Sequence, residues 1–121
     1  FDRVCIGSFS DRRLARARAL HAQLCTSFGR IAVVNLLARS RGIRRPRSSG
    51  NAVQAPAKLR GVPVITQRFV DVAHDEGLVV HAWTIDDELE MHRLFDLGVD
   101  GIMTDRPTLL RGVMEHRGIW E

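Results

Sequence analysis

The sequence predicts an α/β chain of about four parallel strands with helices packed outside them, half of a (β/α)8 barrel. Apolar runs of strand length alternate with amphipathic runs of helix length, and the connections between most of them are short. Alternation of that kind implies a parallel sheet, and handedness then puts the helices outside it. The 121 residues form one domain, about half of the roughly 250 residues that a complete barrel takes.

Residues 4–6 are a short apolar run, a strand buried on both faces. Gly7-Ser8-Phe9 follows as a loop, and Ser10 or Asp11 suits the N-cap of a helix. Leu14, Ala17, Leu20, His21 and Leu24 recur at three and four and give that helix an apolar face. Thr26-Ser27-Phe28-Gly29 breaks the pattern. Residues 31–38 are almost continuously apolar and fit either strand or helix. Residues 39–50 read as an exposed basic loop. Residues 51–56 form a strand ending at Pro56, 58–61 a turn, and 62–65 an extended segment, since a residue before proline avoids helix.

Thr66 caps a helix over 67–76, with Phe69, Val70, Val72 and Ala73 on its apolar side and Gly77 as its left-handed stop. Residues 78–83 are a strand running into Thr84-Ile85-Asp86-Asp87. The next helix, 88–97, is capped by Asp86 or Asp87, takes Leu89, Leu94, Phe95 and Leu97 as core with Met91 nearby, and is closed by Gly98. Residues 99–103 form the last strand. Pro107 opens the final helix, where its missing N–H costs nothing, and Leu109, Leu110, Val113 and Met114 pack it down. Gly118 ends that helix and Trp120 covers an edge.

Composition is that of an ordinary globular chain, 45% hydrophobic and 26% charged. No apolar run approaches the roughly 20 residues of a membrane span. The opening Phe1-Asp2-Arg3 has no signal-peptide character and no initiator Met, so we expect a piece of a longer protein. Cys5 and Cys25 are too few for a disulfide framework and are expected as reduced core residues. The compartment stays open, with a soluble, cytoplasmic setting the expectation. The net charge is +4, and 17 of the 18 basic residues are Arg, whose guanidinium forks suit phosphate. Much of that excess sits in the 39–47 loop.

Two motifs carry a family resemblance. His81-Ala82-Trp83-Thr84-Ile85-Asp86-Asp87 and Leu97-Gly98-Val99-Asp100-Gly101-Ile102-Met103-Thr104-Asp105-Arg106-Pro107 resemble the last two β/α units of the glycerophosphodiester phosphodiesterase family. The similarity runs from Val4 to the terminal helix. Asn is commoner in the family at position 86, and Asp departs from it mildly. The resemblance implies the C-terminal half of a TIM (β/α)8 barrel and favours helix for 31–38. It implies hydrolysis of glycerol phosphodiesters to glycerol 3-phosphate and an alcohol, in lipid and glycerol metabolism. It also implies a divalent cation, Mg or Ca, held by carboxylates, with two His as acid and base.

Those family groups come from the first half of the barrel: a His-Arg, a Glu-x-Asp, and a further His and Glu. This chain lacks that arrangement. His92-Arg93 and His116-Arg117 are chance matches on helices, so no catalytic residue or metal ligand carries over and the fragment alone is expected to be inactive. A half-barrel leaves two strand edges and its inner face open. Its expected partner is the missing N-terminal half or a second copy of the chain.

The candidate substrate-binding residues stand at strand ends, where parallel β/α proteins place their chemistry. The family has an aromatic at Trp83, which can pack on glycerol or a choline-like cation; the alternative is a barrel-top core residue. Phe9 can wall the pocket and Ser8 can reach a phosphate, against plain loop packing and capping. Gln54 can bond substrate, or be a buried Gln satisfied by backbone. Asp86 and Asp105 read better as helix caps than as metal ligands, and His81 better as a satisfied barrel residue than as a proton carrier. The rival to an enzyme is a self-associating or polyanion-binding module using Arg39, Arg41, Arg44, Arg45 and Arg47. Nucleic acid is the weaker polyanion, since no aromatics interleave the run. A different phosphate-handling barrel sharing this back half is a third possibility.

Overall fold

The chain is described by a computed structural model over residues 3–121; the expectation about Phe1-Asp2 lies outside those residues. Parallel strands β1 (Cys5–Ile6) and β2 (Cys25–Thr26) pair in register, Cys5 opposite Cys25. A single bridge from Ser27 to Ala52 joins them to a second parallel group. That group is β3 (Ala52–Pro56), β6 (Val79–Trp83) and β7 (Gly101–Ile102), in that order. Between β3 and β6 lies an antiparallel hairpin of β4 (Lys58–Leu59) and β5 (Val62–Pro63). Five helices accompany these strands among the described residues: α1 (Asp11–Leu20), α2 (Arg30–Ser40), α3 (Gln67–Asp75), α4 (Glu88–Asp96) and α5 (Pro107–His116).

The two faces of the sheet differ. Val53, Ala55, Val80 and Ala82 point into a sealed layer with Leu36 of α2, Phe69 and Val70 of α3 and Met91 and Leu94 of α4. All of these are buried; truncating a ring such as Phe69 to alanine costs about 3–5 kcal/mol. The alternate residues of the same strands, Gln54, Val79, His81 and Trp83, are half-buried or exposed. Strands of a closed barrel are covered on both sides; these are covered on one.

The sequence expectations meet five corrections here. The run at 4–6 is not buried on both faces, since Val4 and Ile6 are 55% and 39% exposed. The break at 26–29 contains the end of a fifth parallel strand, β2. The first helix stops at Leu20, which is 87% exposed, and Leu24 is buried in the turn leading to β2. Leu89 is exposed on α4, so it is no core residue. The cysteines are not core either: Cys5 is exposed and Cys25 half-buried, both with free thiols. The helix over 31–38 is observed within α2. The glycine stops hold too, with Gly77 at φ 75°, Gly98 at 91° and Gly118 at 70°. No helix among the described residues is long and apolar enough to cross a membrane.

Candidate functional site

Ser8, Phe9, Gln54 and Trp83 all line one open cavity of about 860 Å³. The parallel register brings them there. Pro56 pairs with Trp83 and Gln54 with His81 across β3 and β6, while Phe9 leaves the C-terminal end of β1. The Phe9 and Trp83 rings meet edge to face at 6.2 Å between centroids, within the range for a favourable aromatic pair. Gln54 sits on the floor. Its amide nitrogen stands 3.4 Å from Nδ1 of His81 and donates to that nitrogen when it is unprotonated. Gly101 lies opposite His81 and makes room for it: a Cβ there would sit 2.9 Å from the ring.

Arg30, Arg13 and Ser27 also line this cavity, and the sequence reading passed over them. The Arg30 guanidinium stands over the Phe9 ring, 5.1 Å from its centroid, and the Arg30 amide donates to the Phe9 carbonyl at 3.0 Å. Arg30 is held by the way α2 starts. Its N-cap, Gly29, has no side chain to offer; instead the carboxylate of Asp11 accepts from Ile31 and Ala32 at 3.0 and 3.1 Å. Asp11 thus caps a helix other than its own, and Ser10 caps α1 by accepting from Arg13 at 3.4 Å. The amides at the start of α2 are thus taken up within the chain. A signal for Ser27 lay in the sequence: Cys5-Ile6-Gly7-Ser8-Phe9 is echoed by Cys25-Thr26-Ser27-Phe28, two strand ends of one kind.

The carboxylates at the other strand ends do different work. Asp87, not Asp86, caps α4, accepting from Glu90 at 2.9 Å. Asp86 reaches across to the loop after β7, where its Oδ1 accepts from the Thr104 hydroxyl and the Asp105 amide, both at 2.8 Å. Asp105 does not cap α5; the N-cap is Arg106, with no side-chain bond. Asp105 lines a separate hollow with Glu88 and Arg106. His92 and His116 meet edge to face on α4 and α5, with Arg117 beside His92, outside the Trp83 cavity.

Among the described residues the cavity is lined by two guanidinium groups, hydroxyls, an amide and three aromatic rings, with no carboxylate, thiol or imidazole at its surface. That set can bind an anion beside an apolar or glycerol-like group. It supplies no general acid or base. A divalent cation finds no fit either: no group of three or more His, Cys, Asp or Glu stands together among the described residues.

The model of the glycerophosphoryl diester phosphodiesterase family matches residues 2–109. A Mycobacterium tuberculosis protein named probable glycerophosphodiester phosphodiesterase 2 is 47% identical over 99% of this chain and 48% of its own length. A glycerophosphodiester phosphodiesterase of Bacillus subtilis is 30% identical over 91% of this chain and 36% of its own. Human lysophospholipase D GDPD1 is 45% identical over 61% of this chain and 24% of its own. The chain thus spans about half, or less, of these relatives' lengths. Among solved structures, a putative glycerophosphoryl diester phosphodiesterase from Silicibacter pomeroyi superposes with a TM-score of 0.74 at 23% identity, over 98% of this chain and 40% of that one. A glycerophosphodiester phosphodiesterase from Parabacteroides distasonis gives 0.71 at 21%, over 97% of this chain and 45% of that one. At those identities the two structures speak for the fold alone, a partial (β/α)8 barrel.

Proposed function

The chain belongs to the glycerophosphoryl diester phosphodiesterase family, and on that premise we propose that it is the C-terminal half of a barrel that hydrolyses a glycerol phosphodiester to glycerol 3-phosphate and an alcohol, within lipid and glycerol metabolism. The observation that carries this is the convergence of Ser8, Phe9, Gln54 and Trp83 on one cavity with Arg13 and Arg30 at its wall. On this reading the guanidinium groups draw in the phosphodiester. The Phe9–Trp83 pair packs against the glycerol or alcohol group and keeps water from that side. Ser8 and Gln54 orient hydroxyl and phosphoryl oxygens.

The proton-transfer groups and the ligands of a Mg or Ca ion come, on this reading, from outside this chain. The same absent part covers the half-bare sheet face and pairs with the outer edges of β1 and β7, since unpaired edges invite a strand. A preceding half-barrel is the partner we favour over a second copy, because a second copy brings no catalytic groups of its own.

Assay of the chain with glycerophosphodiesters, with and without Mg²⁺ or Ca²⁺, tests this against the complete protein encoded with any preceding sequence. The chain should give no turnover and the complete protein should. In the complete protein, Trp83→Ala should raise KM more than it lowers kcat. Turnover at enzyme-like rates by the chain alone refutes the reading, as does a Trp83→Ala protein with unchanged KM.

A further inference from the structure

Between Asp11 and Asp71 the sequence carries thirteen Arg and Lys and no acidic residue, while the remainder is net acidic. Part of this basic stretch has no role in the cavity: the 41–47 loop and the β4–β5 hairpin. The two are joined, since Arg41 Nη2 donates to the Pro63 carbonyl at 3.1 Å. Arg39 is committed elsewhere, paired at 2.8 Å with Glu76, which also stands 3.7 Å from Arg47. Arg41, Arg44, Arg45, Arg47 and Arg60 are exposed.

The hairpin has an unusual build for a solvent-facing element. Leu59 and Val62 are directly opposed across the strands, so both project from one face. They are 61% and 48% exposed, and Ile43 in the adjoining loop is 53% exposed. The tip is a tight turn with Arg60 at φ 50° and Gly61 at φ 78°, the left-handed pair that a two-residue hairpin favours. Apolar side chains are thus presented within a field of guanidinium groups.

We propose that the 41–47 loop and the β4–β5 hairpin form one docking face for a bilayer surface containing anionic phospholipid. Leu59, Val62 and Ile43 enter the interface, and the surrounding Arg side chains meet lipid phosphates. Apolar residues framed by basic ones are the composition of an interfacial contact. Nucleic acid fits less well, because residues 39–63 hold no aromatic to stack on a base. A second copy would set like charges against each other. The hairpin leaves β3 two residues after Pro56, the register partner of Trp83, so the docking face adjoins the cavity rim along the chain. Docking of this kind is independent of hydrolysis and goes beyond the phosphodiesterase reading.

Co-sedimentation of the chain with phosphatidylcholine vesicles, with and without phosphatidylglycerol, tests it. Binding should require phosphatidylglycerol and weaken with salt. R44Q/R45Q should weaken binding by roughly 25-fold, at about fivefold for each basic residue. L59S/V62S should weaken it by roughly tenfold through lost apolar burial. All four positions are exposed, and circular dichroism checks that both variants stay folded. Equal binding to both vesicle types overturns the proposal, as does either double variant binding like the parent. So does duplex DNA binding in preference to vesicles with no effect of L59S/V62S.

Discussion

Gly29 is the position where one methyl group should do the most damage for its size. Its φ of −80° suits any residue, so backbone strain is not the reason. A Cβ at Gly29 would stand 2.5 Å from the Asp11 carboxyl carbon and 2.6 Å from the Asp11 backbone nitrogen. Two costs combine. Pushing the Asp11 carboxylate aside uncaps α2, losing the bonds to Ile31 and Ala32, about 1–2 kcal/mol. Separating the starts of α1 and α2 to clear the backbone contact adds about 1–3 kcal/mol.

Gly29→Ala should therefore lose about 2–5 kcal/mol in urea unfolding, and Asp11→Ala only the capping share, about 1–2 kcal/mol. The double variant separates the two. Removing the carboxylate leaves the contact with the Asp11 nitrogen, so Gly29→Ala should still cost about 1–3 kcal/mol in the Asp11→Ala background. The Arg30 amide bonded to the Phe9 carbonyl follows Gly29 directly, so Trp83 fluorescence should shift with the substitution. Gly29→Ala within about 0.5 kcal/mol of the parent, or full rescue by Asp11→Ala, refutes the reasoning.

Three further outcomes are expected. Both donors to Asp86 converge on one oxygen, which an amide also provides, so Asp86→Asn should stay within about 0.5 kcal/mol of the parent while Asp86→Ala loses about 1–2 kcal/mol in denaturant unfolding. Gly101→Ala should turn the His81 ring away from Gln54 and cost about 1–2 kcal/mol, and the His81 ring-nitrogen shifts in NMR report the lost contact. Partial burial, with the neighbouring Cys25 thiol, pushes the Cys5 thiol up from 9.0 to about 11. The folded chain then keeps that proton after the unfolded chain has lost it, so the Cys5 contribution to stability is full below about pH 9 and lost as pH rises through about 11. Cys5→Ser should remove that part of the alkaline loss in melts across this range, and alkylation of Cys5 should be slow at pH 8.

Long periodic segments were legible because their local preferences and tertiary roles agree. Thr66, Gly77, Gly98 and Pro107 mark helix ends by caps, positive φ or a missing N–H, and each stands where expected. Short elements were not. β2 holds only Cys25 and Thr26, too few residues to show a period of two, and its pairing with β1 is a long-range fact. The hairpin hid behind Arg60, a residue type that seldom takes the left-handed conformation that such a turn needs. Among the residues lining the cavity, Trp83, Phe9, Ser8 and Gln54 could be brought together from the sequence because strand ends converge in a parallel sheet. Arg30 could not, because its position depends on Asp11 reaching across from another helix. Asp86 was misjudged for a similar reason: Asp86 and Asp87 are equally good caps in sequence, and only the distance to Thr104 separates them.

The unequal faces of β6 bear on how this chain should answer a mutational scan. Val80 and Ala82 fill the sealed side, whereas Val79, His81 and Trp83 look onto the uncovered one. Scanned by itself, the chain should show a strict odd–even rhythm along that strand, intolerant at 80 and 82 and permissive at 79 and 81. Scanned inside a closed ring, the permissive positions should become selective as well. If the half-barrel we propose covers that face, the fading of that rhythm would locate its contacts residue by residue.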